Sequence, residues 1–575
     1  MPKKTISDFL IQTLLIADGL ICILMAVFAY EIGVDPNITW GRTRYFLILL
    51  GTLLVFNSMF LTYFKRKYRY LELAIRSENA KTVFLVGHLW ILIFVIYAWF
   101  ITFGNFTTWN HSTQYYTQLA DAFGKGHLYV DRSPGQAMLE AQDPYSPITR
   151  PSFSDEIWDL SLYKEKLYLY WGPVPAILIT PIQLLVDKKI ADIFIVYFFS
   201  AGLLIFNSLI ILKLRRIYFP NIAIWNAIVC IPLIGLILPI LWSVNIPDVY
   251  EAAIGAGQFF LIGGVYFILS AFENDPSIHK WKLFWAGFFW ACSVGSRAIN
   301  TFSVIFFAAF VVFWIVRNLP RPINWIKIPQ LIAPLFIPLM IGAVAIGWYN
   351  WARFDSPLEF GLRYQITIFN LNKQMGLVFQ PDYFLPNLYG YVFQPFEFIA
   401  RFPFVQPING SGILNRLNIT PPYLYAAGRV TGLLFCAPFL LLSLVHLFSG
   451  HKSTLPDRTK SHSFPIYLLL GSFLIGFLTI LFYFFGQMRF LVDIISQITL
   501  LAVMGYWKLI LRSQRSNSKA AKYFVGLSNL LIVLSICISF LLAFSSETNR
   551  MEKLNPRLIE KINNVLTLPE QYFID

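Results

Sequence analysis

The sequence predicts an all-α, polytopic membrane protein of about thirteen transmembrane helices, with two long outer-face loops that carry juxtamembrane helices. Three observations predict it. Of 575 residues, 57% are hydrophobic and 13% are charged. Apolar stretches of roughly 18 to 25 residues recur along the chain, the length that crosses a hydrocarbon core of ~30 Å. Lys and Arg gather in the short segments between those stretches, as they do in loops that orient a protein in a membrane. The 55 Phe, 29 Tyr and 16 Trp suit a lipid-facing surface with aromatic belts, whereas a soluble chain this apolar would expose patches that aggregate.

The elements follow in order. The N-terminal stretch has a basic start and an apolar run too long for a cleaved signal, and reads as the first span. Further spans are expected near 44–64, 83–104, 190–212, 221–243, 252–271, 283–297, 299–316, 328–349, 430–449, 464–486, 490–509 and 523–545, the first covering 8–30. With the N-terminus cytoplasmic, the basic segments at 65–70, 213–216, 317–327, 451–460 and 511–522 all fall inside, as the positive-inside rule requires. The apolar stretch LYLYWGPVPAILITPIQLLV (167–186) would reverse every later loop if it crossed. Its prolines, Pro173, Pro175 and Pro181, each remove a backbone donor, so it is expected to lie as an interfacial or re-entrant helix on the outer face. No internal repeat or low-complexity linker divides the chain. Residues 1–545 are therefore read as one multi-span domain that includes outer loops 105–189, the expected catalytic loop, and 350–429; residues 546–575 are read as an outer tail.

Charge and cysteine usage exclude several classes. The formal net charge of +14 could suit nucleic acid, but the basic residues are placed to orient spans, so membrane lipid and not nucleic acid is the expected partner. All five cysteines lie inside apolar runs with no CxxC pair, which suggests neither a disulfide framework nor a thiolate metal site. His111 and His127, the histidines of the outer loops, fit no HExxH spacing. An Asp or Glu site for Mg²⁺ or Mn²⁺ stays open. No GxSxG, P-loop or dinucleotide fingerprint is present.

Several outer-face residues are expensive to keep. In VNIPDVYEAAIG (244–255), Asn245 could cap a helix, Pro247 fits its first turn, and Asp248 and Glu251 would share a face near the positive end of the helix dipole. That is a purely structural account. Glu251, however, sits at a membrane boundary beside apolar sequence, where an ionisable group suggests function. The loop 105–189 mixes aromatics with Asp121, Asp143, Asp155, Glu156 and Asp159. Such mixtures suit sugars, whose apolar faces stack on rings and whose hydroxyls meet acids, although a solvated outer cap would look the same. Arg297 in ACSVGSRAIN could snorkel to the interface or clamp a phosphate with its planar fork. Arg489, Arg353 and Arg363 could join it.

The first outer loop contains Y-x-x-L-A-D-A-F from Tyr116 and closes on Y-K-E-K-L-Y-L-Y-W-G-P-V-P-A from Tyr163; a short outer loop with an acid and then G-S-R follow. This arrangement, over about 100–310, resembles the GT-C superfamily of integral membrane glycosyltransferases, and within it the PMT and ArnT-like group and bacterial membrane proteins with the same closing stretch. The resemblance implies a sugar donor on a polyprenyl phosphate, with acids of the first and second outer loops beside the acceptor. Carried onto this chain, Asp248 matches the second-loop acid with Glu251 beside it, and the stretch 163–175 matches a juxtamembrane helix. Arg297 falls where the resemblance implies a contact to the lipid phosphate; Arg363 or Arg489 is expected to join it, and substrate contacts are expected from Tyr116, Tyr163, Lys166 and Tyr170. The chain departs from the family at the first acid, where Asn110-His111-Ser112 stands, leaving Asp121 and Asp143 as the nearest substitutes.

The expected function is transfer of a sugar from a polyprenyl-phosphate donor to a lipid, glycan or protein acceptor on the outer face of a bacterial cell membrane. The alternatives are a polytopic transporter or lipid flippase, or a non-catalytic GT-C-like envelope assembly protein.

Overall fold

The computed structural model describes residues 6–30, 32, 34, 35, 37, 39–67, 78–109, 112–153, 157–273, 278–319, 325–408, 410, 420, 422–447, 463–516, 519–545 and 549–566. The chain divides into two compact units, 1–111 with 551–561, and 112–550 with 562–575. Asn110, His111, Asp155 and Glu156 lie outside the described residues. Among the described residues, eight helices are long and apolar enough to cross a membrane, or nine if the pair Trp225–Gly235 and Leu238–Asn245, bent by 41°, counts as one span. The protein is an integral membrane protein built of helices.

The first unit holds α1 (Ile6–Val27), α2 (Arg42–Lys67) and α3 (Glu78–Ile101), where the sequence places its first three spans. In the second unit, α4 (Tyr115–Gly124), a β-hairpin (β1 Ser161–Tyr163, β2 Lys166–Tyr168) and α5 (Val174–Val186) precede the long helices. Those are α6 (Asp192–Tyr218), α8 (Val249–Ala271), α9 (Lys280–Ser296), α10 (Thr301–Arg317), α11 (Lys327–Phe354), α12 (Ser463–Leu481), α13 (Val492–Ser516) and α14 (Lys519–Phe544), with the short α7 (Leu238–Asn245) between α6 and α8.

The centre of this unit is α8 and the first half of α13. Both are buried on nearly every face, and α8 carries Ala252, Ala253, Gly255, Ala256, Gly257, Gly263 and Gly264. Apolar side chains gain little by leaving lipid for protein, so membrane helices associate through close backbone approach, which small residues permit. The opposite case is α11, whose apolar residues Ile337, Ile341, Val344 and Trp348 are exposed, as a lipid-facing helix requires.

Three local expectations change. The stretch 163–175 is not a helix. Ser161–Tyr168 folds as an antiparallel hairpin whose turn residues Lys164 and Glu165 both take left-handed φ, 47° and 64°, the geometry that matches hairpin twist; only Val174–Val186 is helical. That helix, 13 residues long with Pro181 inside, buries Ala176 and Ile179 and exposes Ile177, Leu184 and Leu185. At 430–449 the expected continuous span is replaced by the short helix Leu433–Cys436 and a 3₁₀ helix Pro438–His446. Ala437 leaves the helical region at φ −143°, ψ 62°, and Pro438 has no N–H to carry the ladder across. Finally, Asn245 ends α7 and Asp248, not Asn245, takes the N-cap position of α8.

Candidate active site

The polar residues of the second unit meet at one end of its helices. Asp192 begins α6 and Asp248 precedes α8, and both bind Thr113. Asn245 at the end of α7 donates to the carbonyl of Ala543 at the end of α14, 2.7 Å. Arg297 at the end of α9 meets Asp493 at the start of α13. Arg353 at the end of α11 donates to the carbonyl of Leu169, 2.6 Å. The basic residues Arg215, Arg216, Arg317, Arg512 and Arg515 lie towards the other ends of α6, α10 and α13.

Arg297 is fixed from two sides. Its Nε donates to both carboxylate oxygens of Asp493 at 2.9 and 3.0 Å, and Nη2 donates to Oδ2 at 2.7 Å. This is the bidentate fork that only guanidinium offers. Its stem passes over Gly257 of α8, where a Cβ would stand 2.9 Å from the Arg297 Cβ. The G-P-V-P-A motif closes the same corner: a Cβ on Gly172 would stand 2.1 Å from the carbonyl oxygen of Gly295, so the bare glycine lets the motif seat directly on the last turn of α9.

Arg489 is held differently. It lies in the 3₁₀ turn Met488–Leu491, positioned by a short parallel pairing of Phe485–Gly486 with Ala426–Ala427 from the loop 350–429. Its guanidinium stacks 3.9 Å from the centroid of the Tyr250 ring. Both it and Arg297 lie within 6 Å of the Phe490 ring, at 5.5 and 5.6 Å. Nη1 is 3.7 Å from Oε1 of Glu251, beyond hydrogen-bond reach, and the buried Nε has no hydrogen-bond partner. Glu251, 1% exposed in the first turn of α8, likewise has no hydrogen-bond partner on either carboxylate oxygen. Two turns further along the same face, the buried Gln258 side chain lies against Asp493. Native proteins seldom leave buried polar groups unmatched, because each costs about 1–3 kcal/mol and charged groups more. Polar atoms left so at a helix end are poised for a ligand or water.

The third acid is Asp159, which sequence reasoning noted in the loop but did not place in the site. It is 4% exposed and sits at left-handed φ, 62°, an uncommon conformation that Asp tolerates and that often marks a functional position. Its backbone N–H donates to Ile366 at 2.9 Å, and Tyr115 pins the preceding residue by donating to the Trp158 carbonyl at 2.5 Å. The carboxylate accepts from the Tyr250 hydroxyl and from Gln365 Nε2 at 2.7 Å. Burial pushes its carboxyl up to about 7, against the opposing pull of Arg489 and the Gln365 hydrogen bond. Tyr250 thus lies between the acid and the arginine, donating to one and stacking on the other.

Tyr170 and Tyr116 belong to the same end. Burial pushes the Tyr170 phenol well above its ordinary value, with Asp159 adding to the shift and Arg489 and Arg297 opposing it. The buried Tyr116 hydroxyl has no hydrogen-bond partner, and its phenol is raised by burial and lowered by Arg297.

Asp248 is engaged. It accepts from Arg550 Nη1 at 2.9 Å and from the Thr113 N–H at 3.3 Å. The Thr113 hydroxyl in turn donates to Asp192 at 2.5 Å and accepts from the Val249 N–H at 2.8 Å. Asp248 therefore ties the first loop to the start of α8.

The remaining expected residues have other partners. Asp121 accepts from Gln183 at 3.0 Å and Lys189 at 2.8 Å, joining α4 to the end of α5. Asp143 accepts from Asn370 at 3.0 Å and pairs with Lys373 at 2.8 Å, and the Lys373 hydrogen bond holds its carboxyl below the usual range. Arg363 lies 3.9 Å from Glu359 and is about half exposed. Tyr163 donates to Asp355 at 2.7 Å on the exposed hairpin, and Lys166 sits 4.6 Å over the Tyr129 ring.

Mg²⁺ or Mn²⁺ requires several oxygen ligands converging on one point. Among the described residues, no three of His, Cys, Asp and Glu converge in that way. Asp493 faces Arg297, Glu251 faces Arg489, and Asp159 faces two hydrogen-bond donors. The described residues do not by themselves form a site for a metal of this kind.

Neither a family model nor a curated protein matches the chain. Among solved structures, it is similar to the oligosaccharyltransferase of Archaeoglobus fulgidus. The crystal structure of that protein tethered to an acceptor peptide containing the NVT sequon gives 13% identity and a TM-score of 0.44, over 81% of this chain and 55% of the other. The apo form gives 14% and 0.45, over 81% and 56%. The complex with an inhibitory peptide and a dolichol-phosphate gives 16% and 0.39 over the same shares. The chain spans a little over half the length of the protein it matches.

Proposed function

We propose that this chain is a GT-C-like membrane glycosyltransferase that moves a sugar from a polyprenyl-phosphate donor to a hydroxyl group of a lipid, glycan or protein acceptor at the outer face of a bacterial cell membrane. The observation that carries the reading is the buried, unbonded Glu251 carboxylate beside an Arg489 guanidinium whose Nε is also free of a partner, within a cluster that includes Asp159 and Arg297.

The geometry supports the following roles. Asp159 takes the proton from the acceptor hydroxyl. The acceptor oxygen bonds to the anomeric carbon as the bond from that carbon to the phosphate oxygen breaks, and the polyprenyl phosphate departs with the electron pair. A carboxyl pushed up to about 7 suits a general base, since proton transfer is most effective when the base titrates near the working pH. Arg489 neutralises the departing phosphate, with the Arg297 fork, held by Asp493, as the fixed second charge. Glu251 balances Arg489 until the donor arrives. Tyr170 and Tyr116 line the approach with rings and a hydroxyl. Asp248, clamped by Arg550, positions the first loop, while Asp121 and Asp143 hold loop segments together. The outer placement rests on the basic residues at the opposite helix ends, with the N-terminus cytoplasmic.

Incubation of the purified protein with labelled polyprenyl-phosphate sugars is expected to give carrier-dependent release or transfer of sugar, lost in Arg489→Ala and Asp159→Asn variants that still fold. Carrier movement across a vesicle without cleavage of the sugar–phosphate bond would replace this reading with a flippase.

A further inference from the structure

Helix α12 ends at Leu481, and the last carbonyls of a helix have no partner within it. This end is buried, with Ile480 and Leu481 each 2% exposed, so those carbonyls need a donor from elsewhere in the chain. One side chain of the second long loop supplies it. Asn387, 1% exposed, donates from Nδ2 to the carbonyls of Tyr483 at 2.8 Å, Leu481 at 3.1 Å and Ile480 at 3.3 Å. Its Oδ1 accepts from the Tyr425 hydroxyl at 3.2 Å. The same amide packs on the backbone of Gly486, where a Cβ would stand 2.9 Å from Oδ1.

The stretch that leaves α12 is braced on both edges by the same loop. On one edge Gln380 N–H donates to the Phe482 carbonyl and Phe484 N–H donates to the Val378 carbonyl, both at 3.0 Å. On the other, Ala426 N–H donates to Phe484 at 3.1 Å and Gly428 N–H to Gly486 at 2.9 Å. Tyr391, one turn after Asn387 and also 1% exposed, accepts the Gln487 N–H on its hydroxyl at 3.2 Å. The chain leaves this brace two residues before Arg489.

The two arginines of the site are located by different means. Arg297 is fixed through its own side chain, by the Asp493 fork. The Arg489 side chain meets the Tyr250 and Phe490 rings and approaches Glu251 at 3.7 Å, contacts that do not fix its direction, so its place depends on where the backbone delivers it. The braced stretch delivers a second side chain to the same cluster. The Tyr483 phenol is pushed up to about 12, chiefly by burial, with Arg297 and Arg489 opposing the shift and Asp159 adding to it.

We infer that Asn387 is a positioning residue, which anchors the stretch 480–487 so that Arg489 is delivered against Tyr250 and Glu251. Its consequence for transfer rests on the phosphate role proposed above for Arg489; the anchoring itself does not.

The test uses the full-length protein in lipid nanodiscs and phenylglyoxal, a small dicarbonyl that modifies arginine, with the extent of modification at Arg489 and Arg297 read by peptide mass spectrometry. The two side chains start alike, 12% and 14% exposed. Asn387→Leu keeps the volume and removes every hydrogen bond of the anchor, whereas Gly486→Ala keeps Asn387 and sets a methyl 2.9 Å from its Oδ1. Modification of Arg489 is expected to rise severalfold in Asn387→Leu and by less in Gly486→Ala, while Arg297 keeps its wild-type value because Asp493 holds it. Loss of packing without a positioning role would instead raise both arginines together. Unchanged Arg489 in folded Asn387→Leu, or Arg489 and Arg297 rising in step, overturns the inference; where Asn387→Leu does not fold, Gly486→Ala decides by the same two outcomes. The labelling needs no donor, so the anchor and the transferase fail separately. Raised Arg489 labelling in the variants with no transfer from any donor by the unaltered protein keeps the anchor and removes the transferase. Transfer by the unaltered protein with Arg489 labelling unchanged in the variants keeps the transferase and removes the anchor.

Discussion

If Asp159 is the proton acceptor, the rate of transfer must follow its ionisation. The carboxyl is pushed up to about 7, chiefly by burial, and only the ionised form can take a proton. The ionised fraction climbs from roughly one-tenth at pH 6 to roughly nine-tenths at pH 8, so kcat/KM should rise about tenfold over that interval and level off above it. Two substitutions separate Asp159 from any other group that titrates nearby. Asp159→Asn should lower the rate by about 10²–10⁴, the range for removal of a general base, and abolish the acidic limb. Gln365→Leu keeps the acid but removes the 2.7 Å hydrogen bond that favours its charged form. A hydrogen bond to a charged group contributes about 1.5–3 kcal/mol, and one pH unit corresponds to about 1.4 kcal/mol. The limb should therefore move to higher pH by roughly one to two units, with the plateau rate nearly kept. The assay is initial-rate transfer from a radiolabelled polyprenyl-phosphate sugar across pH 5.5–9. A profile flat between pH 6 and 8, or a limb that persists unchanged in Asp159→Asn, would refute the assignment.

Three further outcomes are expected. Asp493→Leu alone leaves Arg297, whose side chain is 14% exposed, without its partner and should cost up to about 3–5 kcal/mol of stability, whereas Arg297→Met with Asp493→Leu should recover most of it in thermal unfolding yet stay inactive. Gly172→Ala places a methyl 2.1 Å from the Gly295 carbonyl oxygen and should destabilise by about 1–3 kcal/mol, with a lowered melting temperature and loss of transfer. Arg550→Ala should release the grip on Asp248; a double-mutant cycle with Asp248→Asn, read by thermal unfolding, should return a coupling of about 1 kcal/mol, and simple additivity would show that the contact contributes nothing.

Much of this arrangement is legible in the sequence, because the membrane reduces the choices. Long apolar runs must be helices, and basic residues mark one side, so the alternation of spans alone predicts that Asp248, Glu251, Arg297 and Arg489 emerge at one end. The structure places their helix ends there. Gly172 was visible as part of a motif, although its purpose, contact with Gly295, depends on a residue in a different span. What could not be read were partnerships across long stretches of chain. Asp159 looks like any loop acid until Tyr250 and Gln365, from α8 and the second long loop, close on it. Asp493 stood in the R-F-L-V-D stretch, four residues after Arg489, but its claim on Arg297 crosses 196 residues. Asp121 and Asp143 were chosen for nearness in sequence to a missing acid, and sequence nearness does not report the lysines that meet them. The hairpin at 161–168 escaped notice because three-residue strands are too short to show a two-residue period and Lys-Glu is not a usual left-handed turn.

The two arginines are bound with unequal strength, and under the proposed function that inequality assigns the donor phosphate to one of them. Arg297 is matched on two nitrogens by a buried carboxylate, and removing a charge from such a pair costs several kcal/mol. A phosphate could gain that fork only by displacing Asp493 into a site with no solvent to receive it, so Arg297 acts from where it stands. Arg489 has no comparable attachment. Its contact with Glu251 is 3.7 Å long, its Nε is unbonded, and the flat face of Tyr250 supports it without fixing its direction. An incoming phosphate can therefore take hydrogen bonds from Arg489 without breaking any that the described residues make, and when it does, Glu251 loses the guanidinium beside it while still buried. Glu251 must then take up a proton, be hydrated or meet a hydroxyl, and on the proposed donor the sugar linked to the phosphate carries hydroxyls that could meet it. Glu251→Gln should on this account weaken binding of the sugar-bearing donor more than that of the bare polyprenyl phosphate, measured side by side by competition; equal weakening of both would assign Glu251 to Arg489 alone.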